Sequence, residues 1–131
     1  KIGRPMKVSK ECIVGLVTAL KIFLDTDQTA VWAEWKRKAN YIMKQLGQID
    51  GIKIVVEDES TKREGPQVIF YFSEGWKGMS PDELKRNLES GNPSIYLGDG
   101  GYGADMNISM VNIRDGEEKI ISEKLKELLI I

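Results

Sequence analysis

The hydrophobic pattern of this 131-residue chain changes its period at Gly51, and this change constrains the fold more than any other sequence feature. Beyond Gly51, apolar residues alternate with other residues in two stretches, which is the pattern of strands with one buried face. Their apolar positions are Ile52, Ile54 and Val56 in the first stretch and Val68, Phe70 and Phe72 in the second. Residues 57–66 between them (EDESTKREGP) contain no large apolar side chain, which predicts an exposed hairpin loop joining an antiparallel pair.

Before Gly51 the apolar residues follow the spacing of two long helices. The first is predicted to begin after Ser9 as N-cap, and its apolar positions are Ile13, Leu16, Val17, Leu20, Phe23 and Leu24. Residues 25–27 break this helix and begin a second one over about residues 28–46, which ends at Gly47. In this second helix, aromatic and apolar residues share one face while lysines lie elsewhere. We interpret this face as a packing surface and not as a nucleic-acid surface.

Four further elements are predicted after the second strand. Residues 80–83 (SPDE) form a capping box that begins a short third helix. A third strand over residues 94–97, a fourth over 106–113 and a last helix capped by Asp115 and Glu118 complete the order ααββαββα. Hairpins join antiparallel strands directly, so this order predicts an α+β fold. We expect one domain over residues 1–131, an antiparallel sheet of about four strands with helices packed on one face, preceded by two long helices.

Composition and charge exclude several classes of function. With 19 basic and 20 acidic residues the formal net charge is −1, so no overall field favours nucleic acid or an anionic membrane. No apolar run is long enough to span a bilayer, and no signal-peptide pattern is present, so we expect a cytoplasmic protein. The chain has no histidine, and Cys12 is its single cysteine, which excludes Ser-His-Asp and Cys-His catalysis and an internal disulfide. We therefore predict neither a catalytic residue nor a metal site in this chain.

A motif precedes and enters the first helix: residues 3–8 (GRPMKV), residues 10–11 (KE) and residues 13–16 (IVGL). This run resembles the segment that opens the C-terminal small domain of a family of fold-type I pyridoxal-phosphate enzymes. The family holds L-seryl-tRNA(Sec) selenium transferase and its relatives, including D-glucosaminate-6-phosphate ammonia-lyase. The lyase branch is the closer match, because the transferase carries R-x-x-R at the place of Arg4 and Lys7.

The resemblance implies that residues 1–131 are the C-terminal small domain of a longer enzyme and are inactive alone. Such an enzyme is a pyridoxal-phosphate lyase or transferase that removes the α-proton of an amino-acid-like substrate and then eliminates a group from the β-carbon. The lysine that binds the cofactor covalently, and the aspartate on its pyridine nitrogen, would lie in the large domain. The large domain is therefore the expected partner, and we expect the parent enzyme to be a homodimer or a larger assembly.

The same resemblance nominates Arg4 and Lys7 as substrate-binding residues. In the family this basic pair faces the active site, and it suits an anionic group, because arginine is a bidentate donor and lysine a point charge. The alternative is that Arg4 and Lys7 are solvated surface residues. The two residues considered without the family resemblance favour this alternative.

Residues 93–96 (PSIY) resemble a P-x-I-Y stretch that is commonly followed in the family by an arginine suited to an acidic substrate group. Leu97 or Gly98 occupies that position here, so the arginine is missing. The family's substrate therefore cannot be carried over to this chain, although the expected fold is unaffected. Tyr96, Asp99 and Tyr102 remain the candidates for substrate contact in this part of the chain.

Residues 98–103 (GDGGYG) also match the G-x-G-x-x-G pattern of dinucleotide-binding folds. In those folds the glycines open a helix whose N-terminus meets the pyrophosphate. A strand is predicted after the motif here, so we interpret it as a flexible hairpin loop. A competing hypothesis is a free-standing α+β module that binds a small ligand or a protein partner through this loop.

Overall fold

The computed structural model describes residues 7–59, 64–101 and 103–130 of the chain. The chain forms two compact units, Lys1–Val31 and Trp32–Ile131. The sheet lies in the second, larger unit.

The first unit contains helix α1, Lys10–Asp25. Ser9 is its N-cap, as predicted, because its hydroxyl accepts the N–H of Cys12 at 3.2 Å. At the other end the N–H of Thr26 donates to the carbonyl of Phe23 at 3.3 Å, which closes the last turn. Each end of α1 therefore has a capping hydrogen bond within the first unit.

Helix α2, Gln28–Leu46, begins in the first unit and continues into the second. The carboxylate of Asp27 accepts the N–H groups of Thr29 and Ala30 at 3.0 and 3.1 Å, so it caps the helix as predicted. The helix ends at Gly47, whose φ of 64° is the left-handed conformation that glycine adopts without strain. Both predicted ends of this helix are confirmed.

The sheet of the second unit consists of β1 (Ile52–Glu57), β2 (Gln67–Phe72) and β3 (Met106–Ser109) in the order β1-β2-β3. Both neighbouring pairs are antiparallel. Phe70 of the central strand lies opposite Ile54 on one side and Met106 on the other, so the predicted alternation places these residues on one face of the sheet. The predicted antiparallel pairing of the first two strands is confirmed, but Gly65 and Pro66, at the end of the loop that was predicted to be exposed, are buried.

The predicted third strand was wrong, because residues 94–97 are not a strand. The N–H of Ile95 donates to the carbonyl of Leu88 at 2.9 Å, and the hydroxyl of Ser94 donates to the carbonyl of Glu89, so this segment closes the end of a helix. Only Gly98 reaches the sheet, where it exchanges both backbone hydrogen bonds with Asn107 at 2.9 and 3.0 Å. The last predicted strand is also shorter, since a 3-10 helix, Met110–Asn112, follows β3. Within the described residues the order is ααββαβα.

Two helices pack in the second unit together with α2: α3 (Pro81–Glu89) and α4 (Glu117–Leu129). The predicted capping box of α3 is confirmed, because the Ser80 hydroxyl and the Glu83 carboxylate each accept a backbone N–H of the other residue. In the predicted cap of α4 Asp115 was wrong, whereas the carboxylate of Glu118 does accept a backbone N–H at the start of the helix, that of Gly116 at 2.8 Å. Gly116 is its N-cap, and Asp115 instead binds the ammonium of Lys38 at 2.7 Å.

One apolar core joins these three helices to a single face of the sheet. Phe70, Leu84 and Leu125 are fully buried and represent the central strand and two of the helices. The core residues are Ala39, Ile42, Leu46, Ile52, Val68, Phe70, Leu84, Leu88, Ile95, Met106, Ile108, Met110, Ile121, Leu125 and Leu129. Packing of the helices on one face of the sheet, predicted from the order of elements, is thus observed in the second unit.

An ion pair between a buried lysine and an exposed aspartate joins α2 to the start of α4. The side chain of Lys38 is only 4% exposed, and its ammonium donates to the carbonyl of Ile113 at 3.1 Å as well as to Asp115. The Lys38 ammonium holds the pKa of the Asp115 carboxyl below its ordinary value through this hydrogen bond and through its charge. Lys38 therefore has a structural role, and its donors are used within the fold.

Candidate functional site

The predicted substrate-binding residues belong to different parts of the molecule. Arg4 and Tyr102 lie outside the described residues. Lys7 is exposed and lies shortly before α1 in the first unit. Tyr96, which is 76% exposed, and Asp99 lie in the second unit, in the segment between α3 and β3. Tyr96 and Asp99 thus lie in one segment. We call this segment, residues 96–101 and 103–104, the glycine loop.

The glycine loop turns back onto β3 and is held there by Asn107. Gly100, Gly101 and Gly103 have φ values of 68°, 80° and 85°, which only glycine adopts without strain. The side-chain amide of Asn107 donates to the carbonyl of Gly100 at 3.4 Å and to the side chain of Gln67 at 3.1 Å. The loop leads into β3 and not into a helix, so the arrangement of a dinucleotide-binding motif is absent from this loop.

Asp99 is fixed by a lysine that the sequence analysis did not select. The ammonium of Lys85, on α3, lies 2.9 Å from the Asp99 carboxylate, and the side chain of Lys85 is only 15% exposed, against 95% for Asp99. The hydrogen bond from Lys85 and its positive charge hold the pKa of Asp99 below its ordinary value. Asp99 therefore presents an ionised, solvent-facing carboxylate, which accepts hydrogen bonds from hydroxyl or amino groups.

The lysine has a second acidic neighbour, because Asp82 lies 3.9 Å from its ammonium at the start of the same helix. The capping box at Ser80 fixes where α3 begins, and this places Lys85 one turn after Asp82. The capping box and the spacing of Asp82 and Lys85 were visible in the sequence. The neighbouring residues gave no indication that the glycine loop would lie beside the first turn of α3.

A separate open groove of about 1010 Å³ lies where the end of α2 meets the hairpin of β1 and β2. Lys44, Asp50 and Lys53 line it together with Tyr71, and the Lys53 ammonium lies 5.9 Å from the centre of the Tyr71 ring. None of the described residues predicted to bind substrate lines this groove. The sequence analysis did not identify it, since it depends on how the helix end and the hairpin pack.

Neither a metal site nor a membrane span was found in the described part of the chain. Its cysteine, aspartate and glutamate side chains form no group of three or more that could hold a metal ion. None of its helices is both long and apolar enough to cross a membrane.

Replacing Gly100 by alanine is expected to destabilise the second unit more than the same change at Gly101. Both positions have positive φ, which costs alanine about 1–2 kcal/mol. At Gly100 a Cβ would also lie 2.4 Å from the carbonyl oxygen of Ala104, whereas at Gly101 it would meet nothing within 4 Å. Overpacking of this kind typically adds about 1–3 kcal/mol. Urea unfolding of the two variants measures the difference, and equal stabilities would show that the loop is not held against Ala104.

No model of a known protein family matches the chain. Its sequence is 29% identical over 133 residues to a 5′-C-glycyluridine monooxygenase-decarboxylase from a Streptomyces species, an alignment that covers 98% of this chain and 33% of that protein. Its fold is similar to that of D-glucosaminate-6-phosphate ammonia-lyase, with a TM-score of 0.63, 24% identity and coverage of 98% of this chain and 34% of the lyase. The predicted resemblance to the ammonia-lyase is thus confirmed at the level of the fold, and the chain spans about a third of the length of both proteins.

Proposed function

We propose that this chain is the C-terminal domain of a longer pyridoxal-phosphate lyase or transferase that acts on an amino-acid-like substrate. The observation that carries the proposal is the likeness of fold, which extends over 98% of this chain but only 34% of the ammonia-lyase. The segment GRPMKV at residues 3–8 supports it independently, because it belongs to the sequence and not to the fold.

The two lysines whose side chains are mostly shielded from solvent, Lys38 and Lys85, do not fit the task of holding the cofactor covalently. That task needs a lysine in a protected site with a free amino group. Lys38 is buried, but its ammonium binds the carbonyl of Ile113 and the carboxylate of Asp115. Lys85, which is also largely buried, binds Asp99. We therefore assign the cofactor to the large domain, where pyridoxal phosphate would supply an electron sink for the substrate's α-carbon.

The share of this chain would be to close one side of the substrate pocket. Arg4 and Lys7 would bind an anionic group of the substrate, the first as a planar bidentate donor and the second as a point charge. Tyr96, Asp99 and Tyr102 would form the second contact. Leu97 and Gly98 stand where the family has an arginine, so this chain lacks that positive charge. The ionised carboxylate of Asp99 can instead accept hydrogen bonds from a donor group of the substrate. We therefore expect a hydroxyl or amino group of the substrate at the glycine loop, and not an acidic group.

The names of the two similar proteins support a substrate of this kind, although their reactions differ. By their names, one acts on 5′-C-glycyluridine and the other on D-glucosaminate 6-phosphate. Both compounds combine an amino-acid group with a hydroxylated sugar skeleton. Oxygen-dependent decarboxylation is therefore a second candidate reaction for the parent enzyme, favoured by the identity of 29% with the monooxygenase-decarboxylase. Elimination and decarboxylation both begin by breaking a bond at the α-carbon, which is the chemistry that the cofactor supports.

Reduction with borohydride in the presence of pyridoxal phosphate tests the proposal. In the full-length polypeptide that carries this sequence, we expect stoichiometric labelling of one lysine outside residues 1–131. The isolated chain should be labelled weakly and at several lysines, because its buried lysines are engaged. Peptide mapping by mass spectrometry locates the label. Stoichiometric labelling of one lysine within the isolated chain, or a start codon close to Lys1, would favour the free-standing module instead.

A further inference from the structure

Helix α1 is a formed helix whose apolar side chains are all exposed. None of its 16 residues is buried. Its large apolar residues are 51–71% exposed, far above what a helix in a protein core shows. They are Ile13, Val14, Leu16, Val17, Leu20, Ile22, Phe23 and Leu24. A contiguous exposed apolar surface of this size marks an interaction site in a soluble protein.

Six of these residues form one continuous stripe along the helix, which we call the α1 stripe: Ile13, Leu16, Val17, Leu20, Phe23 and Leu24. At about 100° per residue, the stripe covers roughly 120° of the helix circumference. The small residues Cys12, Gly15 and Ala19 extend it on one side, while Lys10, Lys21 and Asp25 lie beyond its other edge. The surface without large polar groups is therefore wider than half a turn of the helix.

This width identifies the kind of surface that fits α1. A two-helix coiled coil needs only a narrow seam of apolar residues, whereas a helix lying on a domain core carries a stripe of about 100° or more. The small residues beside the stripe allow a neighbouring backbone to approach closely. A concave apolar surface, formed by several elements, covers such a helix better than a single helix of a second copy does.

We propose that α1 is the docking helix of this chain and that the α1 stripe packs on an apolar surface of the large domain of the same polypeptide. About two thirds of each similar protein lies outside the part that this chain matches, which supplies a partner of sufficient size. The helix has a capping hydrogen bond at each end, at Ser9 and at Thr26, and packing of the α1 stripe would supply the tertiary contacts from which most helices gain their stability. The inference rests on the proposed function only in assuming a longer polypeptide, and it does not depend on the cofactor.

Hydrogen exchange measured by mass spectrometry tests the docking. Peptides covering α1 should exchange at least tenfold more slowly in the full-length polypeptide than in the isolated chain. The double variant Leu16→Glu, Leu20→Glu should lose this protection in the full-length polypeptide. Thr18→Glu, on the opposite side of the helix, should keep it. A milder variant, Leu20→Ala, should lose part of the protection and guards against a general folding defect in the double variant.

Three outcomes would overturn the proposal. Equal exchange of α1 in both proteins would show that the large domain does not cover it. Protection in the isolated chain that rises with protein concentration, and disappears in the double variant, would identify a second copy as the occupant. A reading frame without a large domain would remove the partner. Labelling of the full-length protein by pyridoxal phosphate is measured in a separate experiment. A negative labelling result would therefore count against the proposed cofactor chemistry and would not change the interpretation of the exchange data.

Discussion

Replacing Phe70 by alanine is expected to lower the free energy of unfolding of the second unit by about 3–5 kcal/mol, the usual cost of removing a buried aromatic ring. Phe70 is fully buried in the central strand and faces Ile54 and Met106 across the sheet. The whole stability of a domain is about 5–15 kcal/mol, so this loss leaves the second unit marginally stable. No other single truncation in the core is expected to cost more, because Phe70 is the largest fully buried side chain.

Urea unfolding followed by tryptophan fluorescence measures this loss, since Trp32, Trp35 and Trp76 all belong to the second unit. Tyr96→Ala is the matched control, because it removes an aromatic ring that is 76% exposed and should change stability by less than about 0.5 kcal/mol. If Phe70→Ala cost no more than this control, the core would not be organised around the central strand.

The parts of the fold that the sequence predicted correctly are those that interactions within a few residues determine. Helix α2 runs from Gln28 to Leu46 because the carboxylate of Asp27 caps its start and the positive φ of Gly47 ends it. The alternation of Val68, Phe70 and Phe72 similarly determines which face of β2 meets the core. In each case the deciding interaction is local, so it was visible in the sequence.

The missing strand shows where this kind of inference ends. Residues 94–97 have apolar residues at alternating positions, Ile95 and Leu97, which is the pattern of a strand. The pattern does not show that the N–H of Ile95 donates to the carbonyl of Leu88 at the end of α3 and is therefore not available to pair with a strand. Asp115 failed as a cap for a related reason, because the buried ammonium of Lys38, distant in sequence, binds its carboxylate.

The candidate site was predictable only in part. Tyr96 and Asp99 were selected through the family resemblance, and they lie in one loop. Lys85 was not selected, although its ammonium lies 2.9 Å from the Asp99 carboxylate and lowers the pKa of that group. Its contribution depends on the tertiary approach of α3 to the glycine loop, and no spacing within the sequence reports that approach.

Replacing Arg4 by lysine in the full-length enzyme is expected to lower kcat/KM by about 10- to 150-fold. This corresponds to about 1.5–3 kcal/mol, the usual contribution of a hydrogen bond to a charged group. Lysine keeps the positive charge but loses the planar pair of donors that matches a carboxylate or phosphate. Steady-state kinetics with the enzyme's own substrate measures this loss, and the melting temperature should hardly change, because the substitution removes no core side chain.

Lys7→Ala should give a smaller loss of kcat/KM than Arg4→Lys, because water replaces a point charge more easily than a bidentate donor. Lys7 is exposed, so the same truncation should leave the stability of the enzyme unchanged. Lys10→Ala is the matched control: this lysine is also exposed, lies three residues further on at the start of α1 and belongs to no proposed contact. Full activity in Lys10→Ala together with losses in Arg4→Lys and Lys7→Ala would assign the anionic group of the substrate to this pair. Full activity in all three variants would make Arg4 and Lys7 a solvated surface pair and would leave the glycine loop as the remaining candidate for substrate contact.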